Sequence, residues 1–261
     1  MDPNIDLTLI QLASAYIFVV ILLFIVRHRG INREREILLA SVRMTLQLGL
    51  IGYVLVYIFD NPSPFYTIIF IILMEAFAII NIFKRVKEEI SPSLKKVIAL
   101  SMIVGNLVTM IYFLFIVIRV SPWYNPRYFI PITGMLIGNS MTGISLGVSR
   151  LAGGIESSKN QIEAALMLGA TPKTAVKGIV DSAFDSAILP TINSMLGMGI
   201  VFLPGMMTGQ ILAGLSPISA IKYQIAIMLG ILGSVSLTLI IFVNMAYKSF
   251  FNKESQLEVQ E

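Results

Sequence analysis

The sequence predicts an all-α integral membrane protein with about seven transmembrane helices. Hydrophobic residues make up 56% of the 261-residue chain and charged residues only 13%, whereas soluble domains carry roughly a quarter charged residues. The mean hydropathy is +0.83. The apolar residues lie in runs of about 20, the length that crosses the hydrocarbon core of a bilayer. No Pro-, Gly- or Ser-rich linker divides the chain, so a single membrane domain over 1–261 is expected.

Seven apolar runs are candidate spans, and turn-forming residues separate most of them. The first run follows an N-terminal stretch, 1–6, that has no basic residue. A cleaved signal peptide needs a basic start and a shorter apolar run, so this run is predicted to stay as a helix. The predicted spans cover 7–26, 37–59, 65–83, 97–118, 128–148, 188–213 and 221–247.

Positive charge is distributed unevenly between the two predicted faces. Fifteen of the 19 Lys and Arg residues follow spans one, three, five and seven. Such an excess marks the cytoplasmic side, so the N-terminus is predicted outside and the C-terminus inside. Orientation in a membrane also explains the net charge of +4 without a nucleic-acid partner. The fifteen cations are Arg27, Arg29, Arg33, Arg35, Lys84, Arg85, Lys87, Lys95, Lys96, Arg150, Lys159, Lys173, Lys177, Lys248 and Lys253.

The sequence lacks the residue patterns of several enzyme classes. Without cysteine, the chain has no disulfide and no thiolate chemistry. A G-x-x-x-x-G-K-[ST] phosphate loop does not occur, so the chain is predicted not to hydrolyse ATP itself. Metal-ligand spacings of His, Cys and Asp and a nucleophile elbow are missing too. We therefore expect a chain that is not an enzyme and binds no cofactor of its own.

One predicted cytoplasmic connection, 149–187, is longer than the others and has the pattern of ordered helices. Within 158–168, Ile162, Ala165 and Leu166 recur on one face of an amphipathic helix. Gly169 stands where a helix C-cap belongs, and Thr171-Pro172 predicts the start of a second helix. The shape suits either a rigid docking element or an amphipathic connector in the membrane interface. The pattern alone favours neither.

The run EAALMLGATPKTA at 163–175 resembles the EAA motif of ABC transporter permeases. In those proteins the motif forms the coupling helix that inserts into a groove on the ATPase subunit, which implies a coupling segment at about 158–176 here. The importer motif ends in Ile-x-Leu-Pro, whereas here Leu189-Pro190 comes later than that pattern places it. The offset argues against an ordinary binding-protein-dependent importer. The residues implied in coupling are Glu163, Ala164, Ala165, Gly169, Ala170, Thr171 and Pro172.

Two later runs narrow the resemblance. ILPTINSM at 188–195 and LPGMMTGQILAG at 203–214 resemble the FetB-type permease family, which is assigned to iron export and includes plant proteins linked to aluminium tolerance. The resemblance implies a permease in the cell membrane that works with a separate ATPase, on which ATP and Mg are bound. It also implies a permease homodimer and export of a metal ion such as iron.

Two other interpretations stay open. A stand-alone secondary transporter would use Glu75 as a proton or ion relay, and a membrane scaffold would transport nothing. Co-purification with a P-loop ATPase and ATP-dependent flux would support the permease. Flux driven by an ion gradient alone would support the secondary transporter.

Two charged residues, Arg43 and Glu75, lie well inside predicted spans, where each charge costs about 2.5–3.5 kcal/mol to insert, while Lys222 lies at the edge of span seven. Glu75 is near the middle of span three, and Arg43 lies inside span two from the cytoplasmic edge. With about 1.5 Å rise per residue, their predicted depths differ by only a few ångströms. Three interpretations stay open: Glu75 pairs with Arg43 in an ion pair that locks two helices, it belongs to a cation or proton pathway, or the two residues are placed independently.

Span six is the other candidate pathway, because prolines and glycines weaken its helix. An interrupted span exposes backbone carbonyls and helix ends that can coordinate a substrate, although the same glycines also suit a close-packed helix interface, including a homodimer seam. Thioethers of Met195, Met198, Met206 and Met207 are either Cu(I) ligands or core packing. The candidate pathway residues are Glu75, Asn193, Ser194, Met206, Met207 and Gln210.

Asp181 and Asp185 lie one turn apart in a predicted cytoplasmic helix. They either meet a divalent cation or form a solvated face on which Lys177 pairs with Asp181.

Overall fold

A computed structural model describes residues 7–86, 90–252 and 254–258. Lys87, Lys253 and the N-terminal stretch 1–6, which entered the orientation argument, lie outside the described residues. The helices are α1 (Leu9–Ala15), α2 (Ile17–His28), α3 (Glu34–Asp60), α4 (Pro64–Arg85), α5 (Pro92–Tyr112), α6 (Pro126–Ser157), α7 (Lys159–Met167), α8 (Pro172–Ala175), α9 (Lys177–Gly197), α10 (Gly205–Leu212) and α11 (Pro217–Ala246). A π-helical stretch, Phe113–Ile118, extends α5, and a 3₁₀ turn, Tyr247–Phe250, follows α11.

The chain forms two compact units, one ending at Asn61 and the other beginning at Pro62. The first contains α1, α2 and α3. A hydrogen bond between the hydroxyls of Tyr16 and Thr45 joins α2's N-cap to α3. Within this unit, Val26 and Ile58 are the buried hydrophobic residues, and most other apolar side chains are exposed. Helices that are apolar all round suit contact with lipid.

The second unit is built around α6 and α11, which carry most of its buried residues. α11 packs against α5, α6 and α9, and α6 also packs against α4. Glycines let these helices approach closely: a Cβ on Gly105 of α5 would lie 2.8 Å from the Cα of Thr238 on α11. Small residues at such contacts are typical of helix packing in membranes.

Six helical segments of the described residues are long and apolar enough to cross a membrane. They are Leu9–His28, Glu34–Asp60, Pro64–Arg85, Pro92–Ile118, Pro126–Ser157 and Pro217–Phe250. These segments match six of the roughly seven predicted spans, and predicted span six, 188–213, is not among them. There the chain forms two separate helices, α9 and α10, joined by non-helical residues. The side on which each terminus lies stays a prediction.

The interruption of span six has a local cause. α9 ends at Gly197, and Gly199 adopts a φ of +86°, a left-handed conformation that side chains disfavour. The Gly199 N–H donates to the carbonyl of Phe202 at 2.9 Å, which closes a tight turn. Pro204 then caps α10. The predicted interruption of this helix is confirmed, and the non-helical residues are 198–204.

Candidate functional site

A chain of hydrogen bonds links Glu75 to the centre of the second unit. The Nδ2 of Asn106 on α5 donates to both carboxylate oxygens of Glu75 on α4, at 3.1 and 3.0 Å. The Oγ of Ser234 on α11 donates to Asn106 Oδ1 at 2.8 Å. Ser140 on α6 contacts Ser234 at 3.0 Å, oxygen to oxygen. Four helices therefore contribute one polar side chain each.

The direction of these bonds is fixed by simple counting. A serine hydroxyl carries one hydrogen, and Ser234 donates its hydrogen to Asn106. Ser140 is therefore the donor in its contact with Ser234. Each donor points along the chain toward Glu75, which is the arrangement that an ionised carboxylate requires. Asn106, Ser140 and Ser234 are all buried.

Glu75 lines a groove of about 320 Å³ between α4, α5 and α6. Its walls are mainly aliphatic, and the polar groups on it are Glu75, Asn106 and Thr133. Thr133 is only 1% exposed, and its Oγ1 has no hydrogen-bond partner among the described residues. A buried hydroxyl without a partner costs about 1–3 kcal/mol. Thr133 therefore adds an unpaired, buried oxygen to the wall of the groove.

The predicted ion pair between Glu75 and Arg43 stays a prediction. Arg43 belongs to the unit that ends at Asn61, and Glu75 to the unit that begins at Pro62. The partner of Glu75 within its own unit is Asn106.

The other predicted pathway residues lie around the interruption of span six. Asn193 is exposed near the end of α9, while Ser194 donates to the Pro190 carbonyl of its own helix. Met207 is buried on α10. The Oε1 of Gln210 is buried and has no hydrogen-bond partner among the described residues. Gln210 is therefore the predicted residue whose polar group is available at the interruption.

Gln224 on α11 was missed by sequence reasoning, although it shares that property. It is buried, and its Oε1 also lacks a partner within the described chain. Its Nε2 donates to the sulfur of Met198 at 3.8 Å. A single amide in the first turns of an apolar helix gives no signal that separates it from a surface residue.

The methionines of this region pack against the core. Met195, Met198 and Met206 are partly buried against it, and Met207 is buried. This supports the core-packing interpretation over a thioether metal site. Asp181 and Asp185 are both exposed, and Lys177 forms a salt bridge with Asp181 on the same helix. Across the described residues, no group of three or more His, Cys, Asp and Glu is placed to hold a metal ion.

Glu75 and the end of α9 lie at the same height along α6. A Cβ on Gly134 would meet the Met74 Cε at 2.8 Å, and Asn81 bonds to Met141, so α4 runs parallel to α6 with Glu75 level with Met135. α9 runs antiparallel to α6: Gly147 lies against Ala187, and Gly154 against Ile179. Counting along the two helices brings Gly197 within about one turn of Met135.

The connection between α6 and α9 forms the predicted helix, corner and helix. α7 ends in a Schellman motif, in which the Ala170 N–H donates to the Ala165 carbonyl at 3.0 Å and the Gly169 N–H to the Leu166 carbonyl at 2.9 Å. Gly169 has a φ of +89°. The hydroxyl of Thr171 caps α8, and Pro172 is its first residue. These local predictions are confirmed.

The tip of this corner exposes two large apolar side chains. Met167 is 87% exposed and Leu168 89%, while Ile162 of the same helix is buried at 1%. The apolar face of α7 thus anchors the corner, and Met167 and Leu168 extend beyond it. Sequence reasoning chose the small residues and Glu163, and it missed these two. The signal was present, because both fall off the stripe formed by Ile162, Ala165 and Leu166.

Comparison with known sequences decides the family. The profile of the Uncharacterised protein family (UPF0014) matches residues 9–251. The chain belongs to the UPF0014 family. The UPF0014 membrane protein YjkA of Bacillus subtilis is 37% identical over 252 residues, which are 97% of this chain and 99% of that protein. No solved structure matches the chain.

Two other relatives of this UPF0014 protein have more specific names. The probable iron export permease protein FetB of Escherichia coli is 34% identical over 96% of this chain and 95% of its own length. The protein ALUMINUM SENSITIVE 3 of Arabidopsis thaliana is 34% identical over 96% of this chain and 90% of its own length. The resemblance to the FetB-type family is therefore confirmed, and the chain is a multi-pass membrane protein.

Proposed function

We propose that this chain is the membrane-spanning subunit of an ABC transporter that exports a metal ion. In this proposal a separate ATPase subunit binds ATP and Mg and docks on the corner formed by α7, Gly169 and α8. Two copies of the chain form the permease. The chain itself hydrolyses nothing.

The observation that carries the proposal is the exposed apolar tip of the corner. Burying a side chain such as leucine or methionine contributes about 1.5–3 kcal/mol, and Met167 and Leu168 are almost fully exposed. The Schellman motif and the Thr171 cap hold the two short helices at a fixed angle. A rigid apolar knob of this kind fits a groove on a partner protein.

The names of relatives support the metal ion as substrate. The Escherichia coli relative is called a probable iron export permease. The proposal takes from that name both the assignment as a permease and the outward direction of transport.

Reconstitution with the partner ATPase tests the proposal. We expect ATP-dependent Fe²⁺ or Mn²⁺ flux in vesicles that contain the full-length chain and the ATPase. The double variant Met167→Ser/Leu168→Ser should neither bind the ATPase nor show ATP-dependent flux. The matched control Asn160→Ser/Gln161→Ser changes two exposed residues at the other end of α7 and should keep both. An ATPase that stays bound to the Ser/Ser double variant would refute docking at the corner.

The polar chain at Glu75 favours one second candidate, a secondary transporter driven by an ion gradient. A carboxylate placed in the middle of a bundle is the usual element of an ion relay. Flux that needs a proton or sodium gradient, and persists without any ATPase, would support this candidate and exclude the first.

A further inference from the structure

We propose that Glu75 and Thr133 form the binding site for a single oxygen-preferring cation within the second unit. Asn106, Ser234 and Ser140 act as positioning residues that hold the Glu75 carboxylate. This inference rests on the proposed function, since it names the place in the membrane where the exported ion is bound. It also restricts the substrate to cations that prefer oxygen over sulfur ligands.

The hydrogen bonds around Glu75 favour a negative charge. Asn106 donates to both carboxylate oxygens, and the amide oxygen of Asn106 is itself satisfied by Ser234. Ser140 completes the set by donating to Ser234. A carboxylate that only accepts hydrogen bonds is suited to the ionised state. These hydrogen bonds therefore stabilise the Glu75 carboxylate as an anionic ligand.

The depth of Glu75 makes that charge costly unless a cation balances it. Glu75 lies in the middle of the 22-residue α4, about 16 Å from either end. Within the second unit, the cations of α4, α5 and α6 closest in height to Glu75 are Lys84 on α4 and Arg127 on α6. Both lie more than about two helical turns from the height of Glu75. An intramembrane carboxylate generally faces a cation or a pathway.

Thr133 supplies a second, independent oxygen in the same groove. Its hydroxyl is buried at 1% exposure and has no hydrogen-bond partner among the described residues. Threonines in membrane helices usually bond to the carbonyl four residues back, as Thr109 does with Gly105. Because Thr133 and Glu75 line the same groove, we assign this unpaired hydroxyl as the second ligand of the cation.

The donor atoms define the class of ion. Carboxylate, hydroxyl and water oxygens suit ions such as Mn²⁺, Mg²⁺ and Fe²⁺, whereas thioethers select Cu(I). Met110 adds one sulfur to the wall of the groove, and the methionines near the interruption pack into the core instead. One carboxylate and one hydroxyl hold an ion weakly, which suits a site that must release it.

Binding of Mn²⁺ to the purified full-length chain in lipid nanodiscs tests the site directly. Electron paramagnetic resonance of free Mn²⁺ gives the number of sites and their affinity. We expect Glu75→Gln to weaken the site roughly 100-fold or more, because the only charged ligand is removed. The positioning variant Asn106→Leu should weaken it about 10-fold. The matched control Glu156→Gln alters an exposed carboxylate of α6 and should bind as the unchanged chain does.

A second measurement uses the unchanged chain and so does not depend on the folding of any variant. The apolar reagent dicyclohexylcarbodiimide adds to the protonated form of intramembrane carboxyl groups, so a bound cation that keeps Glu75 ionised blocks the reaction. Mass spectrometry measures the fraction of Glu75 that is modified. We expect Mn²⁺ to protect Glu75 and to leave the modification of Glu156 unchanged. Modification of Glu75 that is the same with and without Mn²⁺ would overturn the proposal. So would Mn²⁺ binding that survives Glu75→Gln.

The two proposals fail in different ways. Loss of ATPase docking leaves Mn²⁺ binding at Glu75 intact, because the binding assay contains no ATPase. Absence of a Mn²⁺ site leaves docking at Met167 and Leu168 intact, because those residues lie on α7 and its corner, outside the groove.

Discussion

Substitution of Gly105 by alanine is expected to destabilise the protein through the contact between α5 and α11. An added Cβ would lie 2.3 Å from Thr238 Oγ1, 2.8 Å from Thr238 Cα and 2.9 Å from Thr238 Cβ. Carbon atoms pack at about 3.5–4.0 Å, so the two helices must separate by about 1 Å. Because a backbone atom is among the neighbours, a change of side-chain rotamer cannot relieve the contact.

The magnitude follows from comparison with a second glycine. Overpacking of this kind costs about 1–3 kcal/mol, whereas alanine in place of a helical glycine gains up to about 1 kcal/mol. Gly138 of α6 has open space around its Cβ position, so Gly138→Ala shows only the gain. Gly105→Ala should therefore be about 1–3 kcal/mol less stable than Gly138→Ala. Adding Thr238→Ala should restore only part of the stability lost in Gly105→Ala, because the contact with the Cα remains.

Thermal unfolding followed by circular dichroism in one detergent is the assay, since a chain without cysteine does not react with thiol dyes. A difference of roughly 2–4 °C in apparent Tm is expected for each kcal/mol. Mn²⁺ binding should weaken as well, because Gly105 precedes Asn106 and the shift lengthens the bond from Ser234. Equal apparent Tm values for Gly105→Ala and Gly138→Ala would refute the close contact.

Three further substitutions give expected outcomes of different size. Gly154→Ala places a Cβ 2.5 Å from Ile179 Cγ2 and should lower the apparent Tm. This contact is with a side chain, so Gly154→Ala should cause no further loss in a chain that already carries Ile179→Ala, and a further loss there would contradict the geometry. Gly169→Ala should lower the stability by about 1–2 kcal/mol, because Gly169 has a left-handed φ, and Gly169→Asn should lower it less. The control Gly153→Ala, which has open space at its Cβ, should not lower the stability in the same unfolding assay. Asp181→Asn removes an exposed ion pair with Lys177 and should change stability by less than about 1 kcal/mol, with Mn²⁺ affinity unchanged; a loss of Mn²⁺ binding would restore the two aspartates as a metal site.

Local chemistry made the corner predictable from the sequence, whereas the division of span six was only half predictable. Glycine after an amphipathic run and Thr171-Pro172 each act on their own turn, so they specify α7, Gly169 and α8 without tertiary contacts. In span six the composition indicated a weak helix. The exact end at Gly197 depends on the turn closed by Gly199 and Phe202, which sequence periodicity does not show. The composition therefore indicated an interruption within span six but not the residue at which α9 ends.

Of the four hydrogen-bonded side chains that begin with Glu75, only Glu75 itself was predictable from the sequence. Serine and threonine in membrane helices usually bond to their own helix, as Ser101 does with the Val97 carbonyl. Nothing in the sequence distinguishes Ser140 and Ser234, which bond to each other across two helices. A depth calculation gives how far each residue lies from the membrane edge but not which neighbouring helix its side chain faces. It therefore suggested Arg43 as a partner and did not select Asn106. Contacts between helices are the information that the sequence lacks.

The geometry of α9 offers a physical route between the proposed docking corner and the proposed cation site. α8 leads directly into α9, with Val176 between them, and Val176 is buried. Displacement of the corner by an ATPase would therefore also displace α9. α9 ends level with Glu75, where the turn at 198–204 separates it from α10 and lets it move without dragging that helix. Because α9 packs on α6 and α11, its shift would act on the two helices that carry Ser140 and Ser234. A motion that starts at Met167 and Leu168 would thus reach the donors that hold the Glu75 carboxylate.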